Sequence, residues 1–114
     1  MRRRTIMMVV IMALMVALFA TAAYAAIIEG TSARDILRES NRNDVMYGYG
    51  GNDTLRAFRF VGEMDVLYGG TQNDHLNTAD GDNRDTNYGG RGYDVCVGDS
   101  GDSFAPGCNE VIKE

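Results

Sequence analysis

Gly48-Tyr49-Gly50-Gly51-Asn52-Asp53-Thr54-Leu55-Arg56 is the stretch that decides the fold. Glycine and asparagine crowd its first five places, aspartate holds the sixth and leucine the eighth. The run around Asp53 and Leu55 alternates, which marks a very short strand with one side chain facing inward. The glycines ahead of it supply the positive φ of a tight turn, a region asparagine also tolerates. Gly69-Gly70-Thr71-Gln72-Asn73-Asp74-His75-Leu76-Asn77 repeats the unit. Aspartate keeps the same beat on either side. Asp35, Asp44 and Asp53 lie nine residues apart, as do Asp65 and Asp74, and Asp85 and Asp94; the intervals between these groups are 12 and 11.

The remaining units take the same frame. Gly30–Arg38 carries Asp35 and Leu37, and Glu39–Tyr47 carries Asp44 and Met46. Phe60–Tyr68 carries Asp65 and Leu67, and Asp80–Tyr88 carries Asp85 with Asn87 in the apolar place. Gly89–Val97 carries Asp94 and Cys96, and a shortened unit from Gly98 carries Asp102 and Phe104. Ala57–Arg59 and Thr78–Ala79 stand between units as insertions. Two turns and two strands close one coil of about 18 residues, and stacked coils share a thin interior filled by the eighth-position side chains. The aspartates then fall in register on the turn edges, where they repel one another without a counter-ion. Carboxylates and turn carbonyls together form an all-oxygen cage, which suits a hard cation of calcium's size. Zinc is disfavoured, because His75 is the only histidine and the two cysteines are 12 residues apart. His75 occupies an outward strand position and reads as a surface residue.

The pattern resembles the repeats-in-toxin, or haemolysin-type, calcium-binding nonapeptide G-G-x-G-x-D-x-U-x. The likeness covers roughly Gly30–Val97. It implies an all-β fold, a parallel β-roll (a right-handed β-solenoid), here with a short C-terminal cap. It implies a calcium cofactor held mostly by main-chain carbonyls and the repeat aspartates. Gly48, Gly50, Asn52 and Asp53 would serve one turn, Gly69, Thr71, Asn73 and Asp74 a second, and Gly89, Arg91, Tyr93 and Asp94 a third. Asp65 and Asp85 join the metal set from the intervening units. Each cage is completed by the turn two units later, so Asp53 needs the Gly69 turn and Asp74 the Gly89 turn. The sequence departs from the pattern in places. Glu39–Tyr47 has no glycine, and Phe60 and Val61 stand where paired glycines belong. Arg42, Arg84 and Arg91 lie in turn regions, within reach of aspartates. The chain looks more like the short secreted, stand-alone repeat proteins of bacteria than like an exported toxin.

The N-terminus reads separately. Met1-Arg2-Arg3-Arg4 precedes an apolar run and then Ala23-Tyr24-Ala25, the layout of a secretory signal peptide with cleavage after Ala25. A retained membrane anchor is the alternative, since the apolar stretch from Thr5 to Ile28 is long enough to span a bilayer. Either way the repeats lie outside the cytoplasm. The expected organisation is a signal at 1–25 and a single β-roll domain at 26–114, with repeats over 30–104 and a cap over 105–114. The signal removes three of the 11 basic residues and none of the 16 acidic ones, which leaves a formal charge of −8. Such an acidic chain is a poor partner for nucleic acid. It is short of aliphatic side chains beyond residue 28, so a normal two-layer core is out of reach and a metal is the natural source of extra folding energy.

Cys96 and Cys108 are an even pair in an oxidising compartment, which suggests a disulfide tying the tail over the last coil. A buried free thiol at Cys96 is the other reading. Ala26–Glu29 and the tail through Ile112 are candidate end strands. One histidine, scattered serines and periodic carboxylates supply no nucleophile–base pair, so no catalytic residue is assigned. The expected role is calcium binding by a secreted, monomeric module whose folding is coupled to the ion. The alternative is a structural or adhesive cell-surface solenoid. Tyr47, Tyr49, Tyr68, Tyr88 and Tyr93 would be its handles for a surface or protein partner, unless they pair across strands and shield the sheet.

Overall fold

The computed structural model describes residues 25–114. Apart from Ala25, the expected signal peptide lies outside the described residues. The described residues form ten short strands: β1 Ala26–Glu29, β2 Ile36–Arg38, β3 Asp44–Tyr47, β4 Thr54–Arg56, β5 Val66–Gly70, β6 His75–Asn77, β7 Thr86–Gly90, β8 Val95–Gly98, β9 Ser103–Phe104 and β10 Glu110–Lys113. Successive strands alternate between two five-stranded sheets, ordered β1-β3-β5-β7-β9 and β10-β8-β6-β4-β2. Every pairing is parallel. Parallel neighbours need a long crossover. Here the crossover is a turn, a strand of the other sheet and a second turn. The result is a right-handed β-roll of nonapeptide repeats.

Register follows the eighth position. Leu37 pairs with Leu55, Leu55 with Leu76, and Leu76 with Cys96 in one sheet. Ile28, Met46, Leu67, Asn87 and Phe104 follow one another in the other. Met46, Leu55, Leu67, Leu76 and Cys96 are fully buried, with Ile28, Leu37, Phe104 and Cys108 packed around them. The interior is one side chain deep per strand. A shift of one residue would turn those side chains to solvent, so the register is strongly specified. Asn87 enters the core as an amide, and its Nδ2 donates to Thr78 Oγ1 at 2.8 Å. Thr78 Oγ1 in turn donates to Asp102 Oδ2 at 3.0 Å.

The insertions are not where the nonapeptide frame put them. Ala57 and Thr78 are buried, and their N–H groups donate to the Asn77 and Val97 carbonyls. Gly48 makes the same bond to the Tyr68 carbonyl. Ala57 and Thr78 therefore hold position one of their turns. The ladder continues past the ninth residue, so extra length is accommodated deeper in the turn, where Phe58, Phe60 and Val61 face water.

Two unlike edges result. One carries the turns 30–34, 48–52, 69–73 and 89–93, and we term it the glycine edge. The other carries 39–43, 57–64, 78–84 and 98–101, and we term it the acidic edge. On the outer face of one sheet Tyr47, Tyr68 and Tyr88 stack with ring centroids 5.0 and 4.7 Å apart. At the C-terminal end Cys96 and Cys108 are joined, with 5.7 Å between their Cα atoms, and β10 pairs with β8.

Candidate metal centre

Each repeat aspartate does two jobs with its two oxygens. Oδ1 accepts the backbone N–H of the aspartate one coil earlier. Asp53 takes that of Asp35 at 2.8 Å, Asp74 that of Asp53 at 2.8 Å and Asp94 that of Asp74 at 2.8 Å. On the other edge Asp65 takes Asp44 at 2.8 Å and Asp85 takes Asp65 at 2.7 Å. These bonds align the coils and fix every carboxylate.

Oδ2 is different. In Asp53, Asp65, Asp74, Asp85 and Asp94 it is buried and has no hydrogen-bond partner. The end aspartates are closed instead. Asp35 Oδ2 accepts Thr31 N–H at 2.6 Å, Asp44 Oδ2 accepts Ser40 N–H at 2.7 Å, and Asp102 Oδ2 accepts Asp99 N–H at 2.8 Å. A buried carboxylate oxygen without a partner is costly, and a native fold that keeps five of them in register calls for an explanation. Burial pushes the carboxyls of Asp65 and Asp74 up to about 7 and that of Asp85 up to about 8. Asp53 and Asp94 are raised for the same reason. For Asp53, Asp65, Asp74 and Asp85 every neighbouring charge that adds to the rise is another carboxylate, and for Asp94 burial alone raises it.

On the glycine edge the orphan oxygens face a cradle. A Cβ on Gly48 would lie 2.5 Å from Asp53 Oδ2 and 2.6 Å from the Gly69 carbonyl oxygen. One on Gly69 would lie 2.6 Å from Asp74 Oδ2 and 2.6 Å from the Gly89 carbonyl oxygen. One on Gly89 would lie 2.7 Å from Asp94 Oδ2. Only glycine keeps these oxygen-lined gaps open. The donor set is a carboxylate and main-chain carbonyls, with no sulfur or imidazole, which fits a hard cation.

The structure brings Gly48, Gly50, Asn52 and Asp53 together with Gly69, Thr71, Asn73 and Asp74, and these with Gly89, Arg91, Tyr93 and Asp94, as successive turns of the glycine edge. Asp65 and Asp85 lie on the acidic edge. Asn52 and Asn73 use their side chains on the backbone: Asn52 Oδ1 accepts Asn73 N–H at 3.0 Å and Asn73 Oδ1 accepts Tyr93 N–H at 2.9 Å. That leaves only their main-chain carbonyls for an ion. The asparagine ladder was legible as Asn at position five, and the sequence reading did not use it. Arg84 sends its guanidinium to the Gly62 carbonyl at 3.3 Å. Sequence reasoning also missed four acids of the acidic edge, Glu39, Glu63, Asp80 and Asp82. The signal was there, since three of them fall in or beside the lengthened turns.

A family model described as the RTX calcium-binding nonapeptide repeat (four copies) matches residues 29–57 and 62–84. The match breaks across the long turn and stops before Gly89. No curated protein and no solved structure matches the chain.

Proposed function

We propose, for a chain that carries four RTX calcium-binding nonapeptide repeats, that it folds outside the cell around calcium ions seated between successive turns of the glycine edge. The repeat is a structural, non-catalytic module, and proteins built on it are typically secreted. The observation that carries the proposal is the row of buried, unpartnered Oδ2 atoms on Asp53, Asp74 and Asp94. Bound calcium supplies the positive charge that these carboxylates lack. The chain's own part is to hold the oxygens. The Oδ1-to-backbone bonds fix each carboxylate, and Gly48, Gly69 and Gly89 leave the space open. The carbonyls of Gly48, Gly50 and Asn52, then of Gly69, Thr71 and Asn73, then of Gly89, Arg91 and Tyr93, supply the remaining donors.

The consequence is linkage. An unfolded chain has no such cage, so the ion binds the roll and its concentration sets stability. At 100 times its dissociation constant each ion would add about 2.7 kcal/mol. Calcium is scarce inside cells and plentiful outside, so the chain stays loose during export and stiffens afterwards. Export itself is assigned to residues 1–25, with cleavage after Ala25, which N-terminal sequencing of the released protein tests. The adhesive alternative has less support, because Tyr47, Tyr68 and Tyr88 are occupied by stacking on one another. Circular dichroism of the chain in EGTA, then with rising calcium and with magnesium as control, decides the matter. A coil-to-β change with calcium alone is expected. A β spectrum that EGTA leaves untouched would sink the proposal.

A further inference from the structure

The acidic edge adds to its repeat aspartates, Asp65 and Asp85, four carboxylates that the nonapeptide does not specify. Glu39 stands at position one of its turn, where the glycine edge has glycine. Glu63 comes from the lengthened turn 57–64, and Asp80 and Asp82 from the lengthened turn 78–84. Glu39, Glu63 and Asp65 each present one carboxylate oxygen, and these three atoms lie within 4.8 Å of one another. Asp80, Asp82 and Asp85 do the same one coil further on.

Proximity of acids is not enough to make a site, because solvated carboxylates cluster harmlessly. Here five of the six acids keep one carboxylate oxygen out of water. Asp65 is 0% and Asp85 1% exposed, and the Oδ2 of each is buried without a partner. Glu39 Oε2, Glu63 Oε2 and Asp80 Oδ2 are likewise buried and unpartnered. The second oxygen of four of these five residues is already in use on the backbone. Glu39 Oε1 accepts Arg59 N–H. Asp65 Oδ1 and Asp85 Oδ1 serve the aspartate ladder. Asp80 Oδ1 accepts Asp82 N–H at 2.9 Å. Asp82 bridges the two long turns, its Oδ2 accepting Gly62 N–H at 2.6 Å and its Oδ1 Arg84 N–H at 3.0 Å. In Glu39, Asp65, Asp80 and Asp85 one carboxylate oxygen thus shapes the turn while the other is left bare, whereas both oxygens of Asp82 are engaged on the backbone.

We propose that the acidic edge holds two cation sites of its own make, Glu39–Glu63–Asp65 and Asp80–Asp82–Asp85, each closing three side-chain carboxylates on a hard, oxygen-seeking cation of calcium's size. The lengthened turns are what assemble them. A glycine-edge turn offers one carboxylate and several neutral carbonyls, whereas these sites offer three carboxylates. Ligand charge is one of the terms that set affinity at such sites, so the acidic edge fills at lower free calcium than the glycine edge. It also favours a trivalent lanthanide over calcium more strongly. None of the six residues belongs to the glycine edge, so this proposal and the preceding one fail separately.

Equilibrium dialysis against calcium counts the ions. Glu63→Gln and Asp80→Asn should each lower the number bound per chain by one at saturation, and together by two. Asp74→Asn, on the glycine edge, should leave the two tightest sites filled. An unchanged count in the Glu63→Gln, Asp80→Asn double variant would overturn the proposal. A wild-type measurement guards against misfolded variants. The chain has five glutamates, Glu29, Glu39, Glu63, Glu110 and Glu114, none of them a glycine-edge ligand. In calcium-folded protein labelled at the glutamate carboxyl carbon, a trace of gadolinium should broaden the Glu39 and Glu63 resonances ahead of the other three. Equal broadening, or none, would count against the acidic-edge sites whatever the variants do.

Discussion

Replacing Gly70 by alanine tests how the coils touch. Gly70 has φ of +99° and pairs with Gly90 in the adjacent coil. A Cβ at this position would run into the Tyr49 carbonyl, with the Tyr49 carbonyl carbon 2.7 Å and its Cα 2.9 Å away. The same carbonyl accepts Thr71 N–H at 2.7 Å, so moving it aside weakens a bond between coils. Gly62 is the control: its φ is +90°, yet nothing lies within 4 Å of a Cβ there. Both alanines suffer the left-handed backbone, about 1–2 kcal/mol. Only Gly70→Ala adds the overlap, roughly 1–3 kcal/mol. With a urea slope of about 1 kcal/mol per molar for a small chain, the two midpoints should differ by about 1–3 M. Urea unfolding at saturating calcium, followed by far-UV circular dichroism, reads this directly. Coincident midpoints would refute the reasoning, since the coil-to-coil contact would then be loose enough to admit a methyl group.

Three further outcomes follow from the site and its ends. Asp65, Asp74 and Asp85 have folded-state values of about 7, 7 and 8, raised by burial above the ordinary aspartate value of about 4. Their contribution to the metal-free roll is full below about pH 4 and lost as pH rises through 7 to 8, so in EGTA the β signal should grow on acidification; growth on going alkaline would contradict the burial argument. Asp74→Asn keeps an Oδ1 acceptor for Asp53 N–H but removes the charge. It should raise the calcium needed for folding several-fold while leaving the EGTA state as stable or more so, and calcium titrations that overlay wild type would move the ion elsewhere. Cys108→Ser opens the loop of sequence separation 12 and should lower stability by roughly 3 kcal/mol; reduced wild type should match it in urea unfolding, and a variant as stable as oxidised wild type would leave the bridge without a stabilising role.

The roll itself was legible because its two signals are local and periodic. Aspartate at six and an apolar residue at eight fix which side chains face in, and the pairing of Leu55 with Leu76 and of Met46 with Leu67 follows. The exact framing of the long turns was not legible. Small side chains such as Ala57 and Thr78 look like loop residues until the neighbouring coil offers a carbonyl to their N–H groups. The acidic edge was hidden for a related reason. Glu39 and Glu63 are 24 residues apart in sequence and meet only because stacked coils superimpose their turns. The closed ends depend on backbone N–H groups of Thr31, Ser40 and Asp99 that turn onto the carboxylates, and nothing in a nonapeptide consensus marks those positions.

The aspartate-to-backbone bonds have a direction. Each carboxylate seals the N–H of the coil before it, so no coil can complete its own bonding. A chain leaving a pore N-terminus first presents every coil unfinished until the next has followed. On the acidic edge the series ends at Asp102, but on the glycine edge it stops at Asn109, whose amide oxygen takes Asp94 N–H at 2.9 Å. A neutral residue at that place finishes the last coil without adding another buried carboxylate. The glycine-edge end of the array is therefore sealed by composition, with an amide where the earlier coils have a carboxylate.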